Sequence, residues 1–287
     1  MKKNIGVTIA DPAGDTTIFV HDRFDRRDYA AVANQLLKMK FDGKMGEQVS
    51  FILDCPTCGR AQGKMEMCGL EFCGNASRSF ALMKAKEFVR DGLTPEGLTT
   101  VSVDVSGVNE ILDIEVDTLS SYTKIKMPSP VRIFDEVIFG TLARIVDFGG
   151  IMHIVLKDIE ASRETFDRYR DYINERYNPP AMGVMFWDTV KKQLTPVVYV
   201  SDVDTTYFEG SCGSGSTACA VAFGMECGIG EHRFTFAQPA GAIEASCIIK
   251  KADPLSGPAV FNGLELEKVF IEGPVWLSEE YRVEIEI

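Results

Sequence analysis

Two pentapeptides carry the residue types that could do chemistry. Cys73-Gly74-Asn75-Ala76-Ser77 and Cys212-Gly213-Ser214-Gly215-Ser216 share the pattern Cys-Gly-Asn/Ser-small-Ser, 139 residues apart in a chain of 287. Each cysteine stands where a glycine-containing turn becomes a helical stretch. Backbone N–H groups and the positive end of the helix dipole would then point at the sulfur and at any anion beside it. That setting favours a thiolate. Two such thiols on opposite faces of one carbon could act as base and acid, which is what inverting a stereocentre without a cofactor requires. Removing an α-proton builds charge next to a carboxylate, so fixed donors such as helix N-termini would also be needed to hold that carboxylate. The two sulfurs would share one proton, and any titration would report the pair.

The elements that must position these residues can be read from periodicity. Val7 to Val20 reads as a strand, a turn at Pro12-Ala13-Gly14-Asp15 and a second strand. A helix follows behind Asp28, and strands at Gln48–Leu53 and Lys64–Met67 flank a polar turn. From Ala76 to Arg90 the apolar spacing is that of a buried helix stopped by Gly92, with strands at Val101–Val105, Ile111–Val116 and Tyr122–Met127 after it. Pro128-Ser129-Pro130 breaks the pattern as a linker does. The plan then repeats: strands near Ile145–Phe148 and His153–Leu156, a helix around Arg163–Arg176, strands at Gly183–Trp187 and Pro196–Val200, and a helix from Ser216 to Glu226. The order of elements predicts an internal duplication of α/β (α+β) class. Residues 1–130 form one lobe, joined by a returning strand at 276–287, and residues 131–275 form the other.

Composition narrows the function. The formal charge is −12 without a lysine- or arginine-rich run, which argues against nucleic acid or an anionic membrane as partner and for small molecules. Asp11-Pro12 and Asp15 interrupt any signal-peptide core, and no apolar run reaches membrane-spanning length, so a cytoplasmic protein with reduced thiols is expected. Cys55-Pro56-Thr57-Cys58, with Cys68 nearby, has metal or redox spacing, but the matching second pair is absent and no metal site is expected. Cys219, Cys227 and Cys247 read as small buried hydrophobes.

At Cys73-Gly74-Asn75-Ala76-Ser77-Arg78 and Ser211-Cys212-Gly213-Ser214-Gly215 the sequence resembles the diaminopimelate epimerase family, as it does at Gly14-Asp15-Thr16-Thr17, Gly46-Glu47-Gln48-Val49 and Gly149-Gly150 with His153. The resemblance implies two pseudo-symmetric lobes, each a curved sheet around a central helix. It also implies Cys73 and Cys212 as a thiolate/thiol pair in the cleft between them, with neither cofactor nor metal. No arginine follows Glu209, and the family's two substrate-contacting asparagines are missing. The closer similarity is to the PLP-independent histidine racemases of opine-metallophore pathways, through Glu71 to Ala76, Ser211 to Gly215, Glu47 to Val49 and Gln238 to Gly241. The expected activity is therefore inversion of L-histidine to D-histidine, with Gly14, Asp15, Glu47, Gln48, Gly74, Asn75, His153, Glu209, Gly213 and Ser214 around the substrate. His153 is expected behind the substrate rather than as acid or base. Carboxylates of Glu47 and Glu209 would receive an ammonium or basic side chain. Epimerisation of diaminopimelate or another amino acid on the same fold, and amino-acid binding without catalysis, are the alternatives. A homodimer is compatible with a two-lobed enzyme.

Overall fold

The computed structural model describes residues 2–54, 59–201, 204–253 and 255–286; Cys55 and Cys58 lie outside them. The chain divides into two compact units, Met1–Lys126 with Glu272–Ile287, and Met127–Ile271. The strand Leu264–Pro274 carries the chain from the second unit back to the first.

In the first unit, Lys2–Asp11 pairs antiparallel with both Thr17–Val20 and the C-terminal strand Tyr281–Glu286. Thr17–Val20 runs parallel to Gln48–Leu53, in register Thr17 to Gln48, and the crossover between them contains helix α1 (Tyr29–Leu36). The sheet continues through Gly63–Met67, Leu98–Val105, Leu112–Asp117 and Tyr122–Lys126. Helix α2 (Gly74–Arg90) packs against the last three of these strands. Lys2–Asp11 is buried without alternation from Ile5 to Ala10 because both its faces are covered. On one side Ile5, Val7 and Ile9 join Tyr29, Val32 and Leu36 in a single core. Asp28 precedes α1, as the sequence suggests, but its backbone is already helical and its side chain makes no cap bond.

The second unit repeats the scheme. Met152–Lys157 runs parallel to Ala181–Asp188, with helix α3 (Arg163–Arg176) in the crossover, and Ser162 caps α3 by accepting from the Thr165 N–H. Phe166, Tyr169 and Ile173 of α3 close a core over Ile154, Leu156, Met182 and Val184. Helix α4 (Gly213–Cys227) packs against Gly230–Ala237, Ala242–Lys251 and the strands beneath, and every residue from Gly215 to Met225 is buried. Gly224 makes this approach possible, since a β-carbon there would stand 2.3 Å from Cys247 Sγ. Among the strands not read from sequence, Arg132–Ile138 pairs antiparallel with Thr141–Asp147 across a two-residue turn, Phe139-Gly140, in which both φ angles are positive.

Among the described residues no helix is long and apolar enough to cross a membrane, and no three His, Cys, Asp or Glu side chains are grouped to hold a metal ion.

Candidate active site

Each motif cysteine is the N-cap of a buried helix, and the two caps have one local geometry. Cys73 has φ −126°, ψ 113°, and Cys212 has φ −131°, ψ 112°. The Ala76 N–H donates to Cys73 Sγ (3.4 Å) and the Gly215 N–H to Cys212 Sγ (3.2 Å). Ser77 Oγ donates to the Cys73 carbonyl and Ser216 Oγ to the Cys212 carbonyl, both at 2.7 Å. A sulfur thus stands where serine or aspartate usually caps, at the positive end of the dipole.

In the first unit the approach to Cys73 is fixed by Gly107 (φ +79°), whose missing side chain lets its backbone lie against Phe72; a β-carbon would fall 2.1 Å from Phe72 N. Around the sulfur, Gln48 Nε2 donates to Cys73 Sγ (3.3 Å), to Asp15 Oδ1 (2.9 Å) and to Thr17 Oγ1 (3.0 Å). The parallel register of Thr17 with Gln48 puts these groups side by side. Asn75 Nδ2 donates to Asp15 Oδ2 (2.9 Å), and the Cys73 thiol lies 4.0 Å from the same oxygen. Arg78, one turn into α2 and fully buried, donates from Nε to Asn75 Oδ1 (3.0 Å) and from Nη1 to Thr123 Oγ1 (3.2 Å) and the Gly273 carbonyl (2.9 Å). Gly14 closes the turn before Asp15, its N–H donating to Asp11 Oδ1, and the Glu47 N–H donates to the Thr16 carbonyl.

Loss of water pushes the Asp15 carboxyl up to about 6 against the opposing pull of Asn75 and Arg78. Glu47, at the surface, is pushed up to about 7 by loss of water and by the charges of Asp15 and Asp11. Arg78 is lowered to about 10 by burial, still far above neutral, so the cation persists.

In the second unit the Cys212 N–H donates to Gln238 Oε1 (2.8 Å), and Gln238 Nε2 donates to Ser216 Oγ (3.0 Å), which locks the cap. Ser214 Oγ is 3.5 Å from Cys212 Sγ and 3.0 Å from His153 Nε2. Glu209 is hydrogen-bonded to the Cys212 thiol. His153 is completely buried, and burial pushes its imidazolium down to about 3, so the ring is neutral. Its cross-strand neighbour is Gly183, where a β-carbon would lie 2.5 Å from Nδ1. Gly183→Ala is expected to force the enclosed imidazole aside and to cost about 1–3 kcal/mol, measured by chemical denaturation.

The expectation that these turns favour thiolates is corrected. Burial, and next the Asp15 charge, push the Cys73 thiol up to about 12. Burial, and next the Glu209 charge, hold Cys212 well above the ordinary thiol range. The helix N-terminal donors act in the opposite direction and are outweighed, so both thiols keep their protons.

Within the first unit, then, Asp15, Gln48, Gly74 and Asn75 gather at Cys73, with Gly14 and Glu47 beside them. Within the second, Glu209, Gly213, Ser214 and His153 gather at Cys212. Sequence reasoning missed Arg78 and Gln238 as site residues, although both lie in quoted motifs. Gln238 is 26 residues from the N–H it accepts, a distance no local spacing announces.

Comparison with known proteins bears on this arrangement. The family model described as "Histidine racemase CntK N-terminal domain" matches residues 6–255. A histidine racemase of Fusobacterium nucleatum subsp. nucleatum (strain ATCC 23726 / VPI 4351) is 30% identical, over 96% of this chain and 95% of its own. One from Staphylococcus aureus (strain Mu50) is 26% identical, over 81% and 85%. Among solved structures, a hydroxyproline epimerase from Agrobacterium vitis with bound trans-4-hydroxy-L-proline has a TM-score of 0.63 at 9% identity, over 98% of this chain and 93% of that one. A probable proline racemase from Agrobacterium radiobacter has a TM-score of 0.59 at 11% identity, over 96% and 92%. These likenesses show the fold.

Proposed function

From the premise that this chain belongs to the histidine racemase family of the CntK N-terminal domain, we propose that it is a cofactor-independent racemase that inverts the α-carbon of histidine, with Cys73 and Cys212 as its acid and base. The chain is an isomerase by that membership. The observation that carries the mechanistic reading is the pair of matching cysteine caps, each sulfur accepting one backbone N–H and lying within hydrogen-bond distance of a polar side chain.

Both thiols begin protonated, so one proton must leave to solvent water before either sulfur can serve as base. A substrate amino acid brings an ammonium group. Asp15, Glu47 and Glu209 supply the carboxylates to receive it and a basic side chain, and neutralising Asp15 and Glu209 removes part of what holds the Cys73 and Cys212 thiols high. One sulfur then takes the α-proton from its face while the other thiol donates to the opposite face, and the shared proton changes owner. The helix N–H groups hold the substrate carboxylate. Such thiols need a reducing compartment, which fits a cytoplasmic protein.

The test is α-proton exchange by NMR in D2O under reducing conditions, across L-histidine, lysine, proline and diaminopimelate. Exchange with histidine and accumulation of its D enantiomer is expected. Exchange with diaminopimelate alone would make it an epimerase of that substrate. Calorimetric binding of an amino acid without exchange would make it a binding protein.

The same carboxylates set a pH dependence. An ammonium binds the ionised forms, which are lost as pH falls through about 7 at Glu47 and about 6 at Asp15. Because one thiol must also lose its proton, kcat/KM is expected to rise with pH above this window too, and the carboxylates steepen the profile, each that must be ionised adding about tenfold per unit below its own range. A pH profile of kcat/KM checks this, and Glu47→Gln should remove the change of slope near 7.

A further inference from the structure

We propose that His153 and Ser214 form a directed hydrogen-bond chain that ends on Cys212, in which His153 Nε2–H donates to Ser214 Oγ and the Ser214 hydroxyl donates to the cysteine sulfur. This deepens, and for its catalytic meaning rests on, the reading of Cys212 as an acid/base thiol.

The direction follows from the far side of the ring. Among the described residues His153 Nδ1, which is buried, has no hydrogen-bond partner. It lies over Gly183, its partner in the parallel strand pair, close enough that a β-carbon there would be 2.5 Å from Nδ1 and 2.9 Å from Cε1. The Phe148 ring stands edge-on to the imidazole, with 6.1 Å between centroids. A neutral imidazole carries one N–H. On Nδ1 it would be a buried donor aimed at carbon, the orphan that folded proteins most consistently avoid, whereas an unused ring lone pair is a lesser loss. The proton therefore belongs on Nε2, where Ser214 Oγ accepts it at 3.0 Å. The serine oxygen then has its own hydrogen left to give, and Cys212 Sγ lies 3.5 Å away.

The first unit supports this polarity independently. There Cys73 Sγ receives the Ala76 N–H and the amide of Gln48, a group that at Nε2 can only donate. With Ser214 donating, Cys212 has the same complement, one backbone donor from Gly215 and one side-chain donor. Two donors on a sulfur favour the thiolate and work against burial and the Glu209 charge. His153 and Ser214 are thus positioning residues, acting on the reaction through the sulfur.

Two measurements test the chain, and neither uses a substrate. In 15N-labelled protein, which has three histidines, the His153 ring is assigned by the signals lost in His153→Gln. The expected spectrum has a protonated Nε2 and a bare Nδ1, unchanged between about pH 5 and 8. A protonated Nδ1 overturns the proposal. The second measurement is the pH profile of Cys212 alkylation by iodoacetamide, read by peptide mass spectrometry, with Cys73 in the same samples as internal control. Ser214→Ala is expected to shift the Cys212 profile up by about one unit, so that alkylation at fixed pH slows about tenfold, while the Cys73 profile stays in place. Ser214→Thr should restore the profile, and His153→Gln, which keeps a donor, should move it less than Ser214→Ala does. An unmoved or lowered Cys212 profile in Ser214→Ala overturns the chain. Because the α-proton exchange experiment is separate, a failure of the racemase reading leaves these outcomes interpretable, and the reverse also holds.

Discussion

Cys73→Ser and Cys212→Ser are each expected to keep the fold and to lose racemisation by about 10²–10⁴-fold, the usual contribution of a positioned acid or base. Serine is a preferred N-cap, so its oxygen can accept from Ala76 N or Gly215 N as the sulfur does, and α2 and α4 should be no less stable. What is lost is proton affinity in the useful range, since a serine hydroxyl in the same buried surroundings neither ionises as a thiol can nor donates as readily. The two variants should differ in one respect. With either sulfur gone, the enantiomer whose α-proton faces the remaining cysteine can still exchange with solvent without inverting. NMR in D2O combined with chiral chromatography separates exchange from inversion. Inversion at the wild-type rate in either variant would sink the two-thiol mechanism.

Arg78→Leu should destabilise the protein by about 3–5 kcal/mol, because removing one member of a buried ionic network leaves the others uncompensated. The guanidinium satisfies the Asn75 side-chain oxygen, Thr123 and the Gly273 carbonyl at once, and its charge, together with the Asn75 amide, opposes the rise that burial gives the Asp15 carboxyl. Arg78→Lys is expected to rescue little, since a single ammonium cannot span the positions that the planar fork reaches. Asp15→Asn should recover part of the loss when combined with Arg78→Leu, with a coupling of about 0.5–3 kcal/mol for groups in one network. Denaturant titration of the four proteins of this cycle measures it; additive losses would show that Asp15 and Arg78 act separately.

The parts of the site that were legible in the sequence are those carried by short-range geometry. A cysteine before a Gly-containing turn and a helix caps that helix through an N–H three residues on, and this is written locally at both Cys73 and Cys212. The duplicated plan was legible for a similar reason, since α3 has its amphipathic period and its Ser162 cap in plain view. The protonation of the thiols was not, because the dipole is a local quantity and burial is a tertiary one. Nothing near Cys73 in sequence says that Asp15 will stand beside it, 58 residues away. The hairpin at Phe139-Gly140 was missed because phenylalanine is an uncommon residue for a positive φ. Arg78 was read as part of a motif, and its role became visible only with the strand end at Gly273 that closes over it.

The two cysteine caps agree in dihedral angles and in the backbone and serine bonds around them, yet their wider surroundings differ: Asp15 and an amide at one, Glu209, a hydroxyl and a neutral imidazole at the other. Enantiomers have equal free energies in water, so for a racemase the Haldane relation requires kcat/KM to be identical in the two directions however unlike the two sides of the enzyme are. The asymmetry can therefore never favour one product at equilibrium. It can only make the enzyme hold one enantiomer more tightly and turn it over proportionately more slowly, so the ratio of the two KM values reports directly how differently the two thiols are housed.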